Sequence, residues 1–462
     1  AATVPPAATA ASTPASSAQT TAAPAGTPPA QGWDISAQLR NAVPGPWDRQ
    51  RLPVDELQAQ AAFDGARWTV PQAQVRVGQG SVALQGALTP ATQALQGSAT
   101  VRALRPDLLY SRLDSAPLNG KAQAEGSVDG AVRFTADIGS AGAGRRPAGG
   151  TASALRLDRL VADGSWRGEQ LTLARLQLSA LQAEVQARQL RIGLDEPSAQ
   201  GQLQATVPGA TLQVDGQMAA RAGNGSLDLR LADAQRLQRW IESLPGLQSA
   251  LKGITLQGNA QLQTRWTGGW QDLQRQLHAA GLLAGPAPAA TGPAGRFDLQ
   301  ARLSTPRLQA DLPPRPGGAT GPMTIELRDV RAELAGSVAQ ATLAWDGEVR
   351  QGGQRATLQA RATAGSTAPG QWRAQIDTLK LLALLDQRPG PWTLQLTQPL
   401  SLTARLAPSL LVETSGGQAT VAGPKPGQAT LRWQPVRYAQ TAQGAMHLRT
   451  QGELQGLPTA WA

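Results

Sequence analysis

Residues 80 to 90 read GSVALQGALTP. Val82, Leu84 and Leu88 share one parity, Ser81, Gln85 and Thr89 the other, and Gly86 stands where a further apolar residue is due. A strand places successive side chains on opposite faces, so strict period two predicts a strand with one apolar face. The pattern returns along the chain. Val75 and Val77 precede this phrase in the same alternation. ITLQGNAQLQ puts Ile254, Leu256, Gly258, Ala260 and Leu262 on one face, and RFDLQARLS does the same with Phe297, Leu299, Ala301 and Leu303. TLQLTQPLSLTARL repeats it from Leu394 and Leu396, across a proline break. A chain of such strands must find shelter for many apolar faces at once.

The residue types available narrow the solutions. The chain has 462 residues, enough for a large core or for two to four ordinary domains, yet aromatics are only 4% of it. Its apolar positions are mostly Leu, Val and Ala, interrupted by many of its 50 glycines. A filled sandwich or barrel core uses larger groups. The expectation is therefore all-β: an elongated antiparallel sheet curled into an open or nearly closed apolar trough, with glycine permitting the curvature. The residues expected to line it are Val75, Val77, Val82, Leu84, Leu88, Ile254, Leu256, Leu262, Phe297, Leu299, Leu303, Leu394 and Leu396.

Two segments depart from period two. DAQRLQRWIESLPGLQSALKG (233–253) spaces Leu237, Trp240, Ile241 and Leu244 as a helix does, and IDTLKLLALLDQ (376–387) reads as a second short helix. Residues 1–31 are almost all Ala, Pro, Thr, Ser, Gly and Gln and predict a disordered linker, leaving 32–462 as the strand-bearing region. Turn-rich breaks at 139–150, 284–295, 313–322 and 416–428 read as long hairpin tips. Residues 108–130 resemble 237–266: each gives a leucine-rich segment, a proline, a Leu-x-Gly step and glycine-interrupted strands. The chain opens AATVPPAATA, with no basic n-region or long apolar run, and stops within the recurring phrase GELQGLPTAWA. An internal piece of a longer protein is expected.

Chemistry-bearing residues are sparse. The chain has no cysteine and two histidines, His278 and His447, so metal ligation and histidine-based catalysis are not expected. No GxSxG, P-loop or HExxH occurs; Asn224-Gly225 reads as a hairpin turn, and Asp195-Glu196 beside Pro197 as a solvated turn. The net charge of +10 comes almost wholly from arginine, since only Lys121, Lys252, Lys380 and Lys425 are lysines. The arginines are dispersed among the strands with no basic run, which predicts a solvated polar face and no nucleic-acid partner. Weak attraction to anionic headgroups remains compatible with it.

The phrases GSVALQGALTP, PLNGKAQAEGSVDG, LKGITLQGNAQLQ and GELQGLPTAW together resemble the repetitive β-rich body of the TamB family of translocation and assembly module subunits, within the AsmA-like group of bacterial envelope proteins. The resemblance runs from about residue 32 to 462 and includes no catalytic motif. It implies a periplasmic β-taco with an apolar groove in a Gram-negative bacterium and an inner-membrane anchor in the full-length parent. It also implies an outer-membrane partner, TamA, and a part in moving phospholipid and in assembling outer-membrane and autotransporter proteins. Exposing a chain of roughly sixteen carbons to water costs on the order of 12 kcal/mol, so a continuous groove is a sound route for such cargo. The expected function is a non-enzymatic phospholipid conduit without cofactors. The alternatives are a β-solenoid or adhesin-type passenger and a chaperone-like guide for unfolded outer-membrane strands.

Overall fold

The structure, a computed structural model, describes residues 32–140, 156–244, 247, 251–283, 295–313, 323–406, 409–440 and 446–461. The segment 1–31 lies outside the described residues, as do most of the breaks at 139–150, 284–295 and 313–322.

Period two becomes a single antiparallel sheet of 27 strands that does not close on itself. From Trp33–Arg40 to Gln371–Leu384 every strand pairs with the next one in sequence, the simplest meander. Beyond that point the strands are broken. Gln371–Leu384 carries Leu400–Arg405 along its first half and Trp392–Leu396 along its second. Both run antiparallel to it, so they are halves of one strand interrupted at Thr397–Pro399. The next three strands are broken at the same level, at residues 415–416, 434–436 and 450–451.

Those breaks continue a line of β-bulges. Register slips occur between Asn259 and Gln261, Arg328 and Arg331, and Arg361 and Ala362. In the earlier strands they fall between Val70 and Ala73, Asp163 and Gly164, and Arg188 and Arg191. Each bulge bends its strand, so a line of them creases the sheet. Six buried residues sit beside these bulges: Ala73, Ala162, Leu173, Ala187, Thr305 and Val330. By register all six lie on the apolar side, so the crease folds over that face. Thr305 Oγ1, polar and buried, donates to the Asn259 carbonyl at 2.6 Å. Among the described residues thirteen apolar side chains are buried and eight of them are alanine. The core is a crease, not a filled interior.

Three α-helices are described, one more than the sequence reading allows for: Pro106–Leu109, Ala234–Glu242 and Trp270–Ala279. The first two lie in connections on one long rim of the meander and the third on the other. Asp233 caps the second helix by accepting from the Arg236 N–H at 2.9 Å. Each longer helix ties down a hairpin turn on its own rim: the Trp240 indole donates to Leu181 O at 2.8 Å and that of Trp270 to Pro197 O at 2.9 Å.

Three local readings are corrected. Residues 376–384 are not helical but the second half of strand Gln371–Leu384. A bulge there sets Ile376 and Leu379 on the same face, and this spacing of three imitates a helix. Asn224-Gly225 is not a turn; it lies within strand Gly223–Leu231, with Gly225 opposite Gly216. The break at 416–428 is mostly strand Gly417–Ala422, and only 423–427 forms the tip.

Candidate functional site

In an antiparallel pair, directly opposed residues point to the same face, so the register shows how far the apolar face extends. It extends across the sheet. One row begins at Ala37, Ala59, Ala73, Leu84, Ala99 and Ala122. It continues to Leu334, Leu343, Ala362, Ile376 and Leu400. Between those stretches Thr264, opposed to Leu227 and Ala301, is its one polar member. All strands among the described residues belong to this sheet. Among the described residues the apolar face is therefore shielded by the sheet's own bend and by the rim helices.

The expected lining residues fall on this face. Val75 opposes Val82, Leu84 opposes Ala73 and Ala99, and Leu88 opposes Trp68 and Leu95. Leu256 opposes Ala310, Leu262 lies between Leu229 and Leu303, and Leu299 opposes Trp266. Leu394 lies between Leu381 and Val421, and Leu396 opposes Ala419. Most are half-buried, while Leu84 and Leu303 are 39% and 36% exposed. Ile254 immediately precedes the Thr255–Thr267 strand and is half-buried. Val77 and Phe297 differ from the expectation: at 3% and 6% exposure they present no surface to a cargo. Val77 ends strand Trp68–Val77, just before Gly78, which Leu108 of the first helix approaches, and Phe297 meets Gln276 of the third.

The sequence reading passed over the tryptophans of this face. Trp266 lays its ring over its cross-strand partner Gly225, and Trp433 does the same over Gly417. An aromatic ring shields the backbone that a glycine leaves bare. The usable signal is a tryptophan and a glycine on the same parity of neighbouring strands.

The opposite face is polar, and its arginines pair across strands: Arg76 with Glu56 at 3.5 Å, Arg159 with Asp137 at 3.0 Å and Arg307 with Glu326 at 2.6 Å. This face is hollowed in places. One trough of about 530 Å³ spans six strands and is built from two adjacent cross-strand rows. The first row is Gln186, Gln204, Gln213, Asp228, Gln263 and Arg302; the second is Arg188, Gln202, Asp215, Ser226, Arg265 and Gln300. A second trough of about 780 Å³ carries Gln85, Gln96, Ser98 and Gln123 between Arg67 and Arg133. Both troughs are set by polar-face side chains, and the first also touches Leu203, Val214, Leu227 and Thr264.

In the first trough the carboxylates are satisfied internally. Asp228 accepts from Gln263 at 2.9 Å, Gln261 at 3.2 Å and Arg230 at 3.1 Å, and Asp215 accepts from Gln202 at 3.0 Å. The Gln263 hydrogen bond is the leading cause that holds the Asp228 carboxyl below its ordinary range, so it is ionised at neutral pH. Among the described residues no group of three or more His, Asp or Glu side chains is placed to hold a metal ion.

No family model, curated protein or solved structure matches the chain.

Proposed function

We propose that the creased apolar face carries acyl chains, and that the protein is a non-enzymatic conduit for phospholipid in the periplasm of a Gram-negative bacterium. The supporting observation is the apolar row that runs from Ala37 to Leu400 with one polar interruption. A conduit needs many equivalent weak contacts, so that cargo enters and leaves each position at similar free energy. Leu and Ala repeated along a row supply that, and no side chain has to react. An inner-membrane anchor in the full-length parent, a TamA-like outer-membrane partner and a link to outer-membrane protein assembly follow from the family resemblance. A solenoid passenger fits less well, because its coils stack parallel and this sheet is antiparallel throughout. A guide for unfolded strands has one observation in its favour: edge strand Trp33–Arg40 is exposed along its whole length.

Leu303 and Leu334 test the proposal well because both are partly exposed on the apolar face, so arginine there is compatible with folding. A guanidinium in an acyl path costs about 2.5 kcal/mol or more before it snorkels out. Leu303→Arg and Leu334→Arg are expected to lower phospholipid photo-crosslinking from neighbouring groove positions by about tenfold. Gln257→Arg and Gln359→Arg, on the polar face, are expected to leave it within about twofold. With circular dichroism unchanged, equal lipid loading in all four variants overturns the conduit. Capture of an unfolded outer-membrane strand that competes at Trp33–Arg40 but not at the groove assigns the guide reading instead.

A further inference from the structure

The polar troughs have no part in carrying acyl chains, and they repeat one composition. Each sets glutamine and hydroxyl side chains in cross-strand rows, flanked by arginines, with two carboxylates among them. The two carboxylates of the first trough are engaged by neighbouring side chains. Arg188 and Arg265 form no ion pair or side-chain hydrogen bond among the described residues. They stand in the same row four strands apart, which is about 19 Å at the usual strand spacing. Between them in that row stand Gln202, Asp215 and Ser226, with Gln204 and Gln213 in the adjacent row, and all three glutamines are exposed to solvent.

We propose that this trough binds a linear acidic glycan laid across the strands. Primary amides both donate and accept, which suits vicinal hydroxyls. The unpaired guanidiniums supply bidentate donors for carboxylates carried by the sugar. The rows repeat at about 4.8 Å, close to the advance of one ring in an extended 1,4-linked chain. A polypeptide strand advances about 3.3 Å per residue and falls out of step with the rows. Single-stranded nucleic acid is held by base stacking on aromatic rings, and no aromatic side chain lines this trough. The site is on the opposite face from the acyl groove, so it stands whether or not the groove carries lipid.

Calorimetric titration of the full chain tests it, with three probes: a 1,4-linked oligouronate of about eight rings, a neutral 1,4-linked oligosaccharide of equal length, and inorganic polyphosphate of equal charge. The oligouronate is expected to bind most tightly, with the neutral sugar weaker and polyphosphate weaker still. The double variant Arg188→Gln/Arg265→Gln is expected to lose at least about tenfold in oligouronate affinity. Gln204→Ala/Gln213→Ala, which leaves the charge unchanged, is expected to lose roughly threefold or more. Arg373→Gln, on the same face but outside the trough, removes one charge and is expected to stay within about twofold. No binding of the oligouronate at millimolar concentration overturns the proposal. So does polyphosphate binding as tightly as the oligouronate, which would mean charge alone is read. A loss in Arg373→Gln as large as in the double variant, or equal binding of the neutral sugar, also overturns it.

Discussion

Gly258 lies inside strand Thr255–Thr267 at φ 109°, beside the bulge between Asn259 and Gln261. A Cβ at this position would run into the Arg307 carbonyl oxygen of the next strand. The backbone there takes a conformation that L side chains rarely adopt, and it does so where the sheet turns over its apolar face. Gly97, in strand Ala94–Leu104, is different: its φ is not positive, and a Cβ would meet Gln85 O at an ordinary 3.5 Å. Gly258→Ala is therefore expected to cost about 1–3 kcal/mol, read as a lower urea midpoint. Gly97→Ala is expected to be neutral or slightly stabilising, by up to about 1 kcal/mol, because it restricts the unfolded chain. Equal midpoints for the two variants would show that the crease does not depend on this glycine. The sequence discloses that glycines interrupt the apolar parity and so permit curvature. It does not disclose which glycine bends, because the collision that forbids a side chain comes from a strand almost fifty residues away.

Gln238 and Gln276 show one device used on both rims. Gln238, buried on the Ala234–Glu242 helix, accepts from the Leu256 N–H at 2.7 Å and donates to Ile254 O at 2.6 Å. With its amide oriented to satisfy both groups, Gln276 of the Trp270–Ala279 helix accepts from the Phe297 N–H at 2.7 Å and donates to Phe297 O at 3.3 Å. In each case a side-chain amide stands in for a neighbouring strand. Near Gln238 the true neighbour has ended, since the Gly223–Leu231 strand pairs no further along than Leu231 with Ala260. Gln238→Leu keeps the volume but strands a buried donor and acceptor, at a cost of about 1–3 kcal/mol. Faster hydrogen exchange at Leu256 is the expected result; unchanged protection there would assign the helix a packing role only. The element-scale patterns differ in how legible they are. Leu237, Trp240 and Ile241 announce the first of these helices by their spacing. The second, with a glycine at its N-cap and only Trp270, Leu273 and Leu277 as large apolar residues, shows too little periodicity to stand out. The Gln371–Leu384 strand misleads because its bulge turns a spacing of two into three. Parity alone places residues such as Val75, Leu84 and Leu262 on the apolar face, whereas the burial of Val77 and Phe297 and the polar troughs depend on contacts and register between elements, which no single strand encodes.

Among the described residues, extensive backbone contact runs only between hydrogen-bonded strands and between the Ala234–Glu242 helix and the strand it serves. Among the described residues no central core links the first strands to the last. In repeat architectures built this way, stability is close to a sum of nearest-neighbour terms, and distant regions open independently. Gly347 is a suitable place to apply strain, because it faces buried Val330 across the crease and a Cβ would come within 2.6 Å of Val330 Cγ2. Gly347→Val overpacks this contact by about 1–3 kcal/mol. Hydrogen exchange is expected to quicken through strands Met323–Ser337, Gln340–Gln351 and Gln354–Ala368. Strands from Glu56–Phe63 to Ala94–Leu104 are expected to keep their protection, since no strand they touch has changed. A uniform rise along the chain would reveal a single cooperative unit and contradict the nearest-neighbour description. Independent opening is also what the proposed conduit would need: if the groove carries acyl chains, a region that opens locally could admit or release one without disturbing the sheet elsewhere.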